Sequence, residues 1–350
     1  MSSLLDEAGR LDAFVPPFAF SAFFSPEDTL LCVLAADKAR ELLTARDDTP
    51  NRITELTSGS GLVGFYLLGR DPTARLLGLD VDKEAAKVAE WNALILGFSG
   101  RARFAQADLW SRETLKLVEA ENPQLIVCNP PYIPEPPGTQ MGIEAGSGPH
   151  GTAHVLRAIE LARKVQPETL ALSWCSLADP ARIVAAAEEA GYDLDTLYVT
   201  AIADGEYSGS VHSYLRALPD CFINEHPETL EIIASDGSAR FAFLLLAGTF
   251  KRRKNTDALR TGITDPLTTD NPTDQLQASR LTHSKLRSPV DAPVAKAVEK
   301  LCADFAESGI PSLAQATAPF HLRCSMLTRW DELALRIMLH GAPHRATPAA

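Results

Sequence analysis

The chain has 350 residues, 45% of them hydrophobic and 22% charged, enough for one large domain with an extension or two modest domains of ordinary globular composition. Charge is uneven: residues 1–250 hold 19 Lys and Arg against 35 Asp and Glu, whereas residues 251–350 hold 14 against 10. Apolar runs such as 241–246 are far too short to cross a bilayer, the first residues lack the basic-then-apolar pattern of a secretory signal, and so acidic a body attracts phosphate backbones poorly.

Residues 1–50 read as a helical lead-in that holds Ser25-Pro26-Glu27-Asp28-Thr29. From about 51 to 250, β-rich apolar runs alternate with helical patterns. Strands are predicted at 53–56, 76–80, 102–107, 124–128, 169–174, 194–200 and 240–250. Helices are predicted at 62–70, 82–96, 152–164 and 180–190, the last stopped by Gly191. This alternation implies an α/β fold: a seven-stranded, mostly parallel, doubly wound sheet with helices on both faces. An excursion at 201–239 carries Tyr207, His212 and Tyr214. Residues 251–290, rich in Thr, Asp, Pro, Ser and Asn, read as a flexible linker that opens on Lys251-Arg252-Arg253-Lys254. That basic cluster is the one candidate surface for nucleic acid, or simply the solvated start of the linker. A helical extension at 291–340 contains two amphipathic segments, 293–307 and 326–339. Six cysteines form no Cys-x-x-Cys pair, and Cys32, Cys128 and Cys175 lie in apolar stretches. Reduced core thiols in a cytoplasmic protein are expected, with no disulfide framework and no metal site.

In doubly wound sheets, ligands bind beyond the carboxyl ends of the strands, and the chemistry-bearing residues cluster there. The turn after the first strand reads Glu55-Leu-Thr-Ser-Gly59-Ser-Gly61-Leu-Val-Gly64. Glycines there allow close approach of backbone to ligand. No Gly-Lys-Ser/Thr follows, and Glu55 would repel phosphate but suit a cationic amino-acid group. Asp80 ends the second strand, where a carboxylate can accept from both ribose hydroxyls; Asp108 ends the third, where it can accept from an adenine amino group with Leu109 beside the ring. Each carboxylate alone is equally a helix cap or a solvated loop end. Together, in this order, they describe an adenosyl ligand, and with Glu55 they describe S-adenosylmethionine.

The fourth strand runs into Asn129-Pro130-Pro131-Tyr132. Two prolines stiffen the turn and remove two N–H donors. The Asn129 side-chain oxygen and the Pro130 carbonyl are two acceptors spaced to hold both hydrogens of a planar –NH2 group, with Tyr132 packed on its flat face.

At these residues the chain resembles class I, Rossmann-like methyltransferases with an Asn-Pro-Pro-Tyr motif. It looks most similar to the HemK/PrmC-type protein-(glutamine-N5) methyltransferases that modify release factors. The resemblance covers roughly 20–200 and includes Pro26-Glu27-Asp28-Thr29 and Gly142-Ile143-Glu144-Ala145-Gly146. It implies Thr29 near the methionine end of the cofactor, Asn129 facing both cofactor and acceptor, Pro130 as second acceptor, and Tyr132 as a packing wall. It also implies a protein or peptide substrate and leaves room for a small activating subunit, with no membrane partner. Thr57 stands where the family has its first glycine, and about 50 residues leave no room for the bacterial members' N-terminal docking domain. The tetrapeptide is shared with adenine-N6 and cytosine-N4 methyltransferases of RNA or DNA. Three readings therefore stand: a protein amide methyltransferase, a nucleic-acid amino methyltransferase, and a cofactor-binding subunit without catalysis.

Overall fold

In the computed structural model, the described residues are 26–44, 51–139, 141–143, 145–177, 180–203, 206–217, 231–233, 239–253 and 316–317. Helix α1 (Pro26–Glu41) leads into β1 (Arg52–Leu56), α2 (Leu62–Arg70), β2 (Arg75–Asp80), α3 (Lys83–Ile95) and β3 (Ala102–Gln106). Then follow α4 (Arg112–Glu121), β4 (Leu125–Cys128), α5 (Ala153–Val165), β5 (Thr169–Cys175), α6 (Pro180–Glu189) and β6 (Tyr192–Ala203). Two short helices, α7 (Glu206–Ser210) and α8 (His212–Ala217), precede β7 (Glu231–Ile233), β8 (Ala239–Arg252) and β9 (Ala316–Thr317).

The sheet order is β3-β2-β1-β4-β5-β8-β6-β9, with β7 paired to β8. The parallel β1–β5 core and the order reversal at β1/β4 give the doubly wound α/β sheet that the alternation implies. Seven strands match the expected ones, and β8 runs antiparallel to both β5 and β6. Two strands were not foreseen: β7 and the two-residue β9, which pairs in parallel with Leu197–Tyr198 of β6. Both are too short to carry an alternation pattern of their own. Every residue of β5 is buried, so both its faces are covered, one by α1 and the other by α5.

Register puts the site together. Leu56 pairs with Leu79 on one side and with Cys128 on the other. The next residues along each strand, Thr57, Asp80 and Asn129, therefore stand in one row at the carboxyl edge.

Helix α4 was not foreseen either; Ser111 caps it by accepting from the Thr114 amide at 3.0 Å, and Thr114 and Val118 are its buried residues. Leu115 and Leu117 pack half-buried on the core beside them, an apolar pattern that the sequence reading passed over. The basic cluster does not open a linker, because Lys251 and Arg252 end β8. The rest of the expected linker and both amphipathic segments of the extension lie outside the described residues. Among the described residues no helix is long and apolar enough to cross a membrane. Cys32, Cys128 and Cys175 are buried free thiols, as expected.

Candidate active site

The turn after β1 keeps a left-handed path. Thr57 has φ 54°, Gly59 51° and Gly61 81°. At Thr57 a β-branched residue adopts the conformation glycine favours, at a strain of roughly 1–2 kcal/mol. The Thr57 hydroxyl donates to the Leu56 carbonyl and lies 3.7 Å from the Cys128 sulfur. At Gly61 a Cβ would fall 2.8 Å from ring atoms of both Phe104 and Phe65, so packing beneath the loop alone requires glycine there.

Glu55 is buried beneath this turn, and its Oε2 accepts from the Gly64 amide in the first turn of α2 at 3.0 Å. Burial pushes its carboxyl up to about 8; the Gly64 bond pulls the other way and Asp80 adds to the rise. Asp80 accepts from the Gly59 amide through Oδ2 at 2.8 Å and from the Asp82 amide through Oδ1 at 2.9 Å. Burial also raises its carboxyl above the usual range. The cap of α3 is Asp82, whose side chain accepts from Glu84, so Asp80 is no helix cap.

Asp108 is exposed just beyond β3, and its Oδ1 accepts from the Trp110 amide at 2.9 Å. It is not a cap either, since Ser111 fills that role. Leu109 is buried and its carbonyl accepts from Arg157 Nε of α5 at 3.0 Å. Trp110, half exposed, meets the His154 ring edge-on at a centroid distance of 4.5 Å. Two α5 residues thus grip the loop after β3. Burial holds His154 down at about 4, against the raising pull of Asp108 and Glu135.

Asn129 follows β4 at the end of a wholly buried strand. Its Oδ1 is buried without a hydrogen-bond partner. A buried acceptor left unmet costs about 1–3 kcal/mol, which a bound donor would recover. Pro130 is buried beside it, and Tyr132 is only 8% exposed. The Tyr132 hydroxyl donates to Asp28 Oδ2 at 2.9 Å, and its carbonyl receives the Cys175 thiol at 3.6 Å. Tyr132 is therefore anchored at both ends, with its ring fixed before any substrate arrives.

Asp28 is the buried partner of the tetrapeptide that sequence reasoning missed. It is 3% exposed, in the first turn of α1, and it reaches across 104 residues to the tetrapeptide. The element Pro26-Glu27-Asp28-Thr29 was in view, but attention fell on Thr29, which sits half-buried next to it.

Beyond Tyr132 the chain folds back on itself. Ile133 bridges Gly146, and the Ser147 amide donates to the Ile133 carbonyl at 3.0 Å. Ser147 Oγ lies 2.8 Å from His154 Nδ1 and accepts from the His154 amide at 3.1 Å. Of the residues expected at the site, Asp80 thus shares an edge with Asn129, Glu55 lies under the glycine turn, and Asp108 with Leu109 follows β3. The Lys251–Arg253 cluster stands apart. Lys251 pairs with Thr169, the first residue of β5, which places the cluster at the opposite edge of the sheet. There Arg252 donates to the Gln166 carbonyl and Arg253 to the Glu188 carbonyl, so the cluster closes the ends of α5 and α6.

Residues 28–140 match the family model described as methyltransferase small domain. A release factor glutamine methyltransferase of Chlorobaculum tepidum is 39% identical over 106 residues, which are 29% of this chain and 35% of that protein. A tRNA1(Val) (adenine(37)-N6)-methyltransferase of Porphyromonas gingivalis is 33% identical over 89 residues, 25% of this chain and 35% of that protein. The chain thus spans about a third of the length of these curated relatives. Among solved structures, a SAM-dependent methyltransferase from Agrobacterium tumefaciens is 14% identical with a TM-score of 0.38, covering 67% of each chain. The family match runs from Asp28 to just past Tyr132, and so encloses Glu55, the glycine turn, Asp80, Asp108 and the Asn129–Tyr132 tetrapeptide.

Proposed function

We propose that this chain is an S-adenosylmethionine-dependent methyltransferase whose acceptor is a planar amide nitrogen of a protein, such as a glutamine side chain. The observation that carries the reading is the buried, unmet Asn129 Oδ1, two strands from Asp80 at the carboxyl edge, with β1 between. The cofactor supplies an electrophilic methyl group on a sulfonium. The residues present fit it. Asp80 keeps lone pairs beyond its two backbone bonds for ribose hydroxyls. Glu55, neutral when alone, is poised to ionise beside a cationic amino group. Thr29 would line the methionine end, Gly59 and Gly61 the turn, and Asp108 with Leu109 the adenine.

At the acceptor, Asn129 Oδ1 and the Pro130 carbonyl each take one amide hydrogen. That orientation aims the nitrogen at the methyl donor and removes rotational freedom before reaction. The Tyr132 ring, held by Asp28, limits tilt of the amide plane. The catalytic domain on this reading is 51–250, completed by α1, and the buried reduced thiols fit a cytoplasmic setting.

A protein acceptor is favoured over a nucleobase by charge. Among the described residues the expected basic patch lies at the far edge of the sheet, while Asp80, Asp82 and Asp108 gather on the site's edge. The similarity to a tRNA adenine methyltransferase supports the base-amine reading, since that exocyclic amine has the same geometry. Purified protein with labelled cofactor, offered a bacterial release factor and total tRNA, separates them. Label in the protein, recovered as N5-methylglutamine after digestion, is expected. Label in tRNA alone would transfer the site to a base amine, and label in neither, with cofactor bound, would favour a non-catalytic subunit.

A further inference from the structure

The expected excursion between β6 and β8 begins with α7 and α8, and one side chain from it reaches the acceptor side of the site. The Tyr214 hydroxyl donates to the Pro149 carbonyl at 2.9 Å, across 65 residues. Tyr214 packs partly against the core, and Val211 and Leu215 are buried in it, so α8 is seated rather than loosely apposed. The side chains of Tyr207 and His212 lie outside the described residues.

The carbonyl it holds belongs to a tight turn. The Gly151 amide donates to the Gly148 carbonyl at 3.1 Å, with Pro149 and His150 as the central pair. Gly148 and Gly151 have φ 71° and 67°, a conformation open to glycine and strained for other residues. Proline as the first central residue fixes its φ and leaves its carbonyl outside the turn's own bond. The other side of the turn rests on the tetrapeptide: a Cβ on Gly151 would sit 2.3 Å from the Tyr132 carbonyl and 2.9 Å from the Pro134 ring. Backbone thus lies against backbone there, with no slack to absorb a shift. A path of direct contacts runs from Tyr214 through Pro149 and Gly151 to Tyr132.

We infer that Tyr214 is a positioning residue for the methyl acceptor: by fixing the 148–151 turn it sets where the Tyr132 wall stands and how wide the acceptor mouth is. The inference rests on the proposed methyltransferase reading. It assigns the inserted helices to acceptor recognition. The hydrogen bond of Tyr214 goes to the turn beside Tyr132 and not to the glycine turn or Asp80.

The test is Tyr214→Phe, which keeps the ring and removes only the hydroxyl. Steady-state methylation of a release factor is expected to show KM raised roughly three- to tenfold, the range one lost hydrogen bond allows, with kcat and affinity for S-adenosylhomocysteine unchanged. Gly151→Ala, which drives a methyl group at the Tyr132 carbonyl, is expected to raise KM at least as much. Hydrogen exchange gives a readout independent of turnover: amides of Ser147 and Gly151 are expected to exchange faster in Tyr214→Phe. Unchanged KM and unchanged exchange would overturn the role of Tyr214 while leaving the function intact. An equal fall in cofactor affinity and melting temperature would make it a general strut and overturn the role as well. A wild-type protein that methylates no release factor would remove the substrate reading, and with it this inference.

Discussion

At the residue scale, two groups carry the sharpest expectations. Asn129→Ala removes one of two acceptors and leaves the donor side untouched. Turnover is expected to fall on the order of 10²-fold or more, while calorimetric affinity for S-adenosylhomocysteine stays near wild type. Glu55 governs the pH response. Its carboxyl is raised from 4.5 to about 8 in the fold, so the folded state holds a proton that the unfolded chain releases above 4.5. That contribution to stability is complete below 4.5 and is lost as pH rises through about 8. The ligand-free protein is therefore expected to melt at lower temperature at about pH 9 than at about pH 6, and Glu55→Gln to flatten the slope. Affinity for the amino-bearing cofactor is expected to rise over the same interval, since its cation favours the ionised carboxylate. A calorimetric series in which wild type and Glu55→Gln coincide would remove Glu55 from both roles. Asp80, Asp108 and Asn129 were legible in the sequence because strand ends in a doubly wound sheet are predictable from alternation. Asp28 was not, because its partner Tyr132 is 104 residues away and no local pattern reports such a contact.

At the element scale, β8 decides what the basic cluster does. An antiparallel strand in this position starts at the carboxyl edge and ends at the amino edge, so Arg252 and Arg253 meet the C-terminal ends of α5 and α6. Helix ends expose unmet carbonyls with partial negative charge, which cations satisfy. Arg253 also pairs with Asp193 Oδ1 at 2.9 Å. Replacing both arginines with alanine is expected to lower stability by about 1–2 kcal/mol in urea melts and leave methyl transfer unchanged. A loss of transfer without a loss of stability would return the cluster to substrate binding. The sequence showed the cluster but not the direction of its strand; direction is set by which edge the chain returns to, and the 39 residues of the excursion leave that open. Helix α4 was legible in Leu115, Leu117 and Val118 and was passed over because the run is only ten residues long.

At the scale of the whole molecule, charge and edges matter together. The parallel core is flanked by β3 on one side, and β9 covers Leu197–Tyr198 of β6 on the other. Deleting residues beyond Arg253 removes β9 and leaves the β6 backbone unpaired there, an invitation to strand pairing between molecules. Concentration-dependent association in light scattering is expected, with cofactor affinity retained because every donor-side residue precedes the cut. A truncated protein that stays monodisperse would show that β9 is not needed to guard that edge. The sheet was readable from β-rich runs separated by helices; β7 and β9 were not, since strands of three and two residues carry no period.

On the methyltransferase function proposed above, the unmet Asn129 oxygen also bears on how the reaction stops. A primary amide offers two hydrogens to two fixed acceptors. Once a methyl group replaces one of them, a single hydrogen remains, and one of the two acceptors is again stranded. The product is thus held less firmly than the reactant by the very atoms that positioned it. The added carbon also stands where a hydrogen-bonded proton or the attacking lone pair has to be. Such a site counts to one: it lets go of a monomethylated nitrogen and does not rebind it for a second round. Mass spectrometry of the modified acceptor should find singly methylated nitrogen, with no dimethylated form accumulating at long reaction times.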